Sequence, residues 1–254
     1  MHDGPMRVVA CTGLKGGVGK TSTAVNLATL SARDGHRTLL WDLDAQGAAT
    51  YCLQLKPKLK GGATKLFGGS RGGLADVARA TSVEGLSIVP ADSTLRDVDR
   101  IVTGSGRPAK AIRRLLSGAK ADYDVVVLDC PPGLNAVVEA VATTADVLLV
   151  PVVPEPLPFR ALERFAEFLD DTKAASPRLL APFLSRIDRR NPMHRRVELQ
   201  VRETTRFLGA SIPESSAVQR MGEDQIPSVL SSPRSLATSE YRKLWAEASE
   251  RAGI

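Results

Sequence analysis

Aromatic residues make up only 4% of this 254-residue chain. A core of stacked rings is therefore excluded. The interior has to come from Val, Leu, Ile and Ala, the composition of parallel sheets covered by helices, and strand-only folds are disfavoured. Cysteine is equally scarce. Cys11, Cys52 and Cys130 form an odd set with no CxxC spacing, which argues against a disulfide framework and a thiolate metal site and predicts reduced, buried thiols. No apolar run approaches the ~18 residues of a membrane span, and the opening MHDGPM lacks a basic-then-apolar signal pattern, so a cytoplasmic chain is expected. There is no internal repeat and no long polar linker between two apolar blocks, so residues 1–254 are expected to form one domain, with 1–5 outside its ordered part. His2, His36 and His194 are scattered and expected at the surface. What is present, 43% apolar and 24% charged residues, excludes a disordered chain.

Acidic residues are missing from 56–73, which carries Lys56, Lys58, Lys60, Lys65 and Arg71, a charge of +5. Residues 178–206 hold Arg178, Arg186, Arg189, Arg190, Arg195, Arg196, Arg202 and Arg206 against Asp188, Glu198 and Glu203, again +5. These two segments exceed the +6 of the whole chain, so the remainder is negative. The glycine-rich 56–73 segment fits either a basic contact surface or a mobile solvated loop.

Short apolar runs alternate with amphipathic stretches. Strands are predicted over 7–12, 38–43, 86–90, 124–129, 147–153 and 179–187, with helices between them and loops at 61–73, 104–108 and 154–158. Continuous runs such as VVVLD and VLLVPVV belong to strands buried on both faces. The expected fold is α/β, a doubly wound, mostly parallel sheet with helices on both sides. A final helix over 236–251, with Leu244 and Trp245 as its main large apolar residues, is expected to pack on the body.

After the first strand comes Gly13-Leu14-Lys15-Gly16-Gly17-Val18-Gly19-Lys20-Thr21, and a helix is predicted over 22–33. A strand, a glycine-rich turn and a helix start make an anion site, because backbone N–H groups converge and the helix dipole adds to their field. Lys20 would reach β- and γ-phosphates, and Thr21 would offer its hydroxyl to Mg²⁺. GxxxxGK[ST] fails here by one residue, Leu14, whereas KGGxGK[ST] fits and adds Lys15. Asp129, at the end of an apolar strand, can hold Mg²⁺ through water. Asp42 and Asp44 share a face by the period of two, so one can orient the attacking water and the other support the metal shell, unless they only cap a turn.

With these residues the chain resembles the ParA/MinD superfamily of deviant Walker A P-loop ATPases, in its short ParA form. Trp41-Asp42-Leu43-Asp44-Ala45-Gln46-Gly47 is similar to the family's DxDxQG switch, with Ala45 where proline is usual. Val125–Asp129 with Cys130-Pro131-Pro132-Gly133 is similar to its Walker B segment and second switch. Ile212-Pro213-Glu214-Ser215 resembles its IPR[SN] strand end, with Glu214 replacing a basic residue. The resemblance implies ATP and Mg²⁺ as cofactors, ATP contacts from Lys15, Gly16, Gly17, Val18, Gly19, Lys20, Thr21, Ser22 and Pro213, metal contacts from Thr21, Asp42 and Asp129, and catalysis by Lys15, Lys20 and Asp44. It makes Asp44 the residue that positions water.

A second ammonium beside Lys20 would be repelled without extra negative charge. In the family the lysine equivalent to Lys15 crosses to the nucleotide of a partner subunit, so an ATP-dependent homodimer is implied. The resemblance further implies slow hydrolysis stimulated by a ParB-like or cargo-adaptor protein, with the cargo left open. It implies nonspecific DNA binding and nucleoid association. A helix predicted over 193–208 places Met193, Val197, Val201, Thr204 and Leu208 within about 80°, and Arg195, Arg202 and Arg206 within about 40° nearly opposite. With Arg189 and Arg190 these are the candidate DNA contacts, suited to phosphates rather than bases. With the first strand predicted from residue 7, the DNA-reading extension of long ParA proteins is not expected.

Three rival readings fit the sequence less well. A MinD-like membrane-associated ATPase needs a broad apolar terminal helix, which Glu240, Glu247 and Glu250 interrupt, so membrane binding is not expected. Ser185-Arg186-Ile187-Asp188 only faintly matches a guanine-reading [NT]KxD. A metabolic ATP-dependent enzyme needs an acceptor pocket that no motif marks.

Overall fold

A computed structural model describes residues 5–69, 73–104, 106–171, 180–203 (Arg202 by its backbone alone) and 207–254. Among them, eight strands form one sheet: β1 (Arg7–Cys11), β2 (Thr38–Asp42), β3 (Arg79–Ala80), β4 (Leu86–Val89), β5 (Val125–Asp129), β6 (Val147–Val152), β7 (Leu180–Ile187) and β8 (Ser211–Pro213). Their spatial order is β3-β4-β2-β5-β1-β6-β7-β8, and every pairing except β3 with β4 is parallel.

The helices are α1 (Lys20–Arg33), α2 (Ala48–Cys52), α3 (Gly62–Gly68), α4 (Val98–Gly104), α5 (Pro108–Ser117), α6 (Ala136–Ala142), α7 (Pro156–Asp171), α8 (Pro192–Arg202), α9 (Ser216–Gln219), α10 (Met221–Asp224), α11 (Ser228–Ser231) and α12 (Leu236–Ala252). Alternation along β1 explains the two layers. Val8 and Ala10 join the cluster covered by α3 to α7, through Leu66, Ile112, Val141 and Leu162. Val9 and Cys11 join the opposite cluster under α1 and α12, through Leu27 and Leu244. The sheet is therefore doubly wound, as expected. β1 lies between β5 and β6, where successive crossovers leave in opposite lateral directions, and ligand crevices open at the C-terminal ends of strands at such a point.

Several expectations need correction. The segment 61–73 contains a helix, α3, because Ala63, Leu66 and Phe67 bury at helical spacing and Phe67 stacks on Trp41 at 6.0 Å between centroids. Burial of that apolar face outweighs the glycines. The glycine and proline clusters at 104–108 and 154–158 run into α5 and α7, each begun by a proline, whose missing N–H costs nothing in a first helical turn. β3 is too short to show a period. His194 is buried, and its Nδ1 accepts from the Asp188 N–H at 3.1 Å. The three cysteines are free and buried as expected, and burial lifts the Cys52 thiol to about 11. The expectation for residues 1–4 lies outside the described residues.

Candidate functional site

The turn from β1 into α1 is shaped by glycines that cannot be replaced freely. Gly17 and Gly19 have φ of +71° and +101°, where an L side chain is strained. A Cβ on Gly19 would stand 2.9 Å from the Ser185 Oγ, whereas one on Gly16 would meet nothing within 4 Å. Gly19 thus lets the loop pass close under β7, and Gly16 faces open space.

That space is a cleft of about 320 Å³. Gly16, Gly17, Gly19, Lys20, Thr21 and Ser22 line it from the loop, Asp44 and Pro132 from the ends of the neighbouring strands, and Ser185, Arg186, Pro213, Glu214, Gln219 and Tyr241 complete the lining. Val18 is buried behind the loop, so its offering to a phosphate is its backbone N–H. Lys20 is buried, and its Nζ donates to the Lys15 carbonyl at 2.8 Å, closing the loop on itself. Burial holds its ammonium below the usual lysine range, while Asp129 and Asp44 pull the other way.

Lys15 behaves differently. It is exposed, and it borders a neighbouring hollow of about 20 Å³ with Gly13, Leu14 and Val150 rather than the main cleft. Its ammonium makes no hydrogen bond or ion pair among the described residues.

The carboxylates divide sharply. Asp129 stands at the end of β5, in register with Cys11 of β1 and Asp42 of β2. Both its oxygens are buried without a hydrogen-bond partner among the described residues. Burial, then the neighbouring Asp42 charge, pushes its carboxyl well above the ordinary range, with Thr21 and Lys20 opposing. Asp42 is also fully buried, but its Oδ2 accepts from the Thr50 N–H at 2.9 Å and the Thr50 hydroxyl at 2.7 Å, and its Oδ1 from the Asp44 N–H at 3.2 Å. Burial lifts it to about 6 against those hydrogen bonds. Asp42 therefore anchors the chain between β2 and α2, with both of its oxygens engaged by backbone or hydroxyl donors. Asp44 borders the cleft, its Oδ1 accepting from the Gln46 N–H at 2.9 Å.

Two adjoining buried carboxylates, one with both oxygens orphaned, call for a cation. Asp129 and the Thr21 hydroxyl are hard oxygen donors that fit Mg²⁺. Among the described residues no group of three or more His, Cys, Asp or Glu gathers to hold a metal alone, so the ion would share its shell with phosphate oxygens and water.

Arg186 was missed as a cleft residue. It sits at φ +55° beside a register shift between β7 and β8. Its Nη1 donates to the Gly17 carbonyl at 2.8 Å and its Nε to the Glu214 Oε2 at 2.9 Å, while the Gln219 Nε2 donates to the Glu214 Oε1 at 2.7 Å. A signal existed in the sequence: Arg186 lies near the C-terminal end of an apolar strand, where such sheets present ligand contacts.

The candidate DNA contacts are only partly free. Arg189 pairs with Glu198 at 3.0 Å and Arg190 with Asp188 at 3.0 Å, so each already meets a carboxylate. Arg195 and Arg196 are exposed on α8. The Arg202 side chain and Arg206 lie outside the described residues, as does Thr204. The helix is also rolled from its predicted setting. His194, Glu198 and Val201 are buried, Met193 and Val197 only half-buried, and α8 ends at Arg202, with Leu208 already bonded to the Pro182 carbonyl at 2.8 Å. The polar contacts of His194 and Glu198 set that roll.

The AAA_31 family model, an AAA domain, matches residues 6–180. The chromosome partitioning protein ParA of Caulobacter vibrioides is 31% identical over 99% of this chain and 97% of its own length. The sporulation initiation inhibitor protein Soj of Bacillus subtilis is 29% identical over 95% and 97%. Among solved structures, cobyrinic acid a,c-diamide synthase from Mycobacterium smegmatis with bound ADP and magnesium superposes with a TM-score of 0.80 at 26% identity, covering 98% of this chain and 97% of that one. A deviant phosphate loop, a switch-like Asp44 above it, an orphaned Asp129 at the adjoining strand end and full-length similarity to two partition proteins converge: this chain belongs to the ParA/Soj partition ATPases of the ParA/MinD superfamily.

Proposed function

We propose that residues 1–254 act as one ATPase domain that uses ATP and Mg²⁺ to switch between a monomer and a sandwich homodimer, the dimer binding DNA without sequence preference to segregate DNA or position a cargo. The observation that carries the reading is the contrast between the two loop lysines. Lys20 is buried and tied to its own loop, whereas Lys15 is exposed beside the cleft with a free ammonium. An ammonium in that position is available to a triphosphate held by a facing subunit, and that triphosphate would in turn make the dimer depend on the γ-phosphate.

In this reading the backbone N–H groups from Gly16 to Thr21 bind the phosphates and Lys20 neutralises their charge. Asp44, reaching the cleft from the end of β2, orients the attacking water. Thr21 and Asp129 would hold Mg²⁺, which would supply further charge neutralisation at the phosphates. Pro213 and Ser22 complete the cleft walls. Hydrolysis is slow until a ParB-like or cargo-adaptor protein engages, and residence on DNA gives nucleoid association.

The synthase likeness supports the fold and the nucleotide, while the similarity over nearly the whole chain to two partition proteins favours the partition reading over a metabolic ATP-dependent enzyme. Membrane attachment is disfavoured because Tyr241, Leu244 and Trp245 of α12 are buried, and among the described residues no helix is long and apolar enough to cross a membrane.

The test is light scattering with ATP–Mg²⁺ and with ADP–Mg²⁺, using wild type, Asp44→Ala and Lys15→Ala. Wild type and Asp44→Ala should double in mass with ATP only, and Lys15→Ala should stay monomeric while still binding nucleotide. The same mass in both nucleotides for Asp44→Ala would overturn the switch.

A further inference from the structure

The basic segment that follows α2 is absorbed by none of the chemistry above. Rather than a loose loop, it is pinned to the body at several points. Leu59 is buried and its N–H donates to Asp92 at 3.1 Å, Ala63 N–H donates to the Thr94 hydroxyl at 2.7 Å, and Leu66 and Phe67 enter the core. Arg114 donates to the Leu66 and Phe67 carbonyls at 3.3 and 3.0 Å, at the C-terminal end of α3. On this fixed backbone Lys56, Lys58, Lys60 and Lys65 are all exposed. Among the described residues none of the four makes an ion pair. Arg79 adds a fifth exposed cation, its Nη1 donating to the Lys56 carbonyl at 3.2 Å. Asp92, the acid held against the segment, is already accepting from Leu59 and Thr94.

Four uncompensated ammonium groups on an ordered support repel one another, and native surfaces usually interleave both signs. Lys56, Lys58 and Lys60 alternate with Pro57 and Leu59, so they project at intervals of about 6.6 Å wherever the chain is extended. Along the segment the apolar residues Leu59, Leu66 and Phe67 are inside the core, so what it presents to solvent is mainly charge, with Tyr51 of α2 the nearest exposed aromatic before it in sequence. Lysine, a point charge on a flexible stem, suits phosphate without bidentate base readout.

We propose that the lysine ridge of residues 56–65 is a second nucleic-acid contact face, separate from α8, which grips the phosphate backbone of DNA. It rests on the DNA-binding reading above. The ridge is also coupled to the nucleotide site through packing: a Cβ on Gly47 would stand 3.1 Å from the Pro57 Cβ, and Gly47 N–H donates to the Asp44 carbonyl at 2.8 Å.

The experiment compares wild type with Lys56→Gln/Lys58→Gln/Lys60→Gln/Lys65→Gln and with Arg195→Gln/Arg196→Gln, measuring affinity for a random-sequence duplex with ATP–Mg²⁺ across a salt series. Acetylation footprinting of the lysines runs alongside, with and without duplex. All four ridge positions are exposed, so the thermal midpoint and ATP turnover without DNA should stay at wild-type values. The expected result is about tenfold weaker binding, a salt slope shallower by roughly 2 to 4, and protection of Lys58 and Lys60 by DNA in the wild type. A ridge variant with unchanged affinity and slope, or ridge lysines equally reactive with and without duplex, overturns the proposal while leaving DNA binding through α8 intact. Wild type that binds no duplex overturns both readings. Loss of affinity for an acidic peptide with DNA binding unchanged assigns the ridge to a protein partner instead and also overturns it.

Discussion

Asp42 and Asp129 show how a single residue's partners decide its role. Both carboxyls are buried, yet Asp42 is satisfied by Thr50 and Asp44 whereas Asp129 has no hydrogen-bond partner among the described residues. Burial raises Asp42 to about 6, against about 3.9 in an unfolded chain. Below pH 4 both folded and unfolded chains hold this proton, and above pH 6 both have released it. In between the folded chain holds more protons, so the stability present at low pH is lost as pH rises through this window, by about 3 kcal/mol for a shift of about two units. Urea unfolding at pH 4.5 and 6.5 checks it: Asp42→Asn, which keeps an acceptor for Thr50, should show a clearly smaller loss across that interval than wild type. Asp129→Asn makes the complementary case. It replaces a buried carboxyl that has no hydrogen-bond partner among the described residues, so the nucleotide-free protein should melt no lower than wild type, while the rise in melting temperature on adding ATP–Mg²⁺ should largely disappear. An unchanged rise would remove Asp129 from the metal site.

At the scale of elements, the strands and the phosphate loop were legible because their causes are local. A run such as VVVLD can be satisfied only in a buried strand, and Gly17 and Gly19 declare their backbone angles in their identity. The latch from β7 to the loop was not legible. It depends on a register shift that turns Arg186 to φ +55° and on Glu214 arriving from β8 to hold it. The roll of α8 escaped for a similar reason, since Glu198 and His194 bury through partners that apolar periodicity does not see. The bonds that Asp42 makes to Thr50 were not legible either, because Thr50 sits on α2, eight residues on. The latch gives a prediction of its own. Arg186→Ala loses the bond to the Gly17 carbonyl and keeps a left-handed backbone that suits alanine poorly; Arg186→Gly loses the bond but relieves the strain. Fluorescent-nucleotide titration should show ADP binding weakened about three- to tenfold in both, with Arg186→Gly the more stable of the two to urea. Unchanged ADP affinity in both would reduce the contact to packing.

For the whole molecule, the proposed function requires nucleotide chemistry at the C-terminal ends of the central strands to control a charge surface elsewhere. A monomer offers one copy of its basic surface, and two protomers facing each other across their nucleotides offer two on a single rigid body. Each neutralised phosphate adds about 0.9 to the logarithmic salt slope, so a protomer covering about three phosphates has a slope near −3 and a dimer near −5. Dimerisation therefore changes the slope as well as the affinity, and this separates it from a nucleotide-driven tightening within one protomer, which would raise affinity with fewer added contacts. With ATP–Mg²⁺, Asp44→Ala should show the steep slope and a long residence on duplex, and Lys15→Ala the shallow slope seen with ADP. Affinity should vary little among duplexes of different sequence, because on the proposed reading lysine and exposed arginine on these faces suit phosphates rather than base edges. Equal slopes for Asp44→Ala and Lys15→Ala under ATP would mean that the exposed lysine beside the cleft does not join two protomers, and control of DNA residence would then have to arise within a single chain.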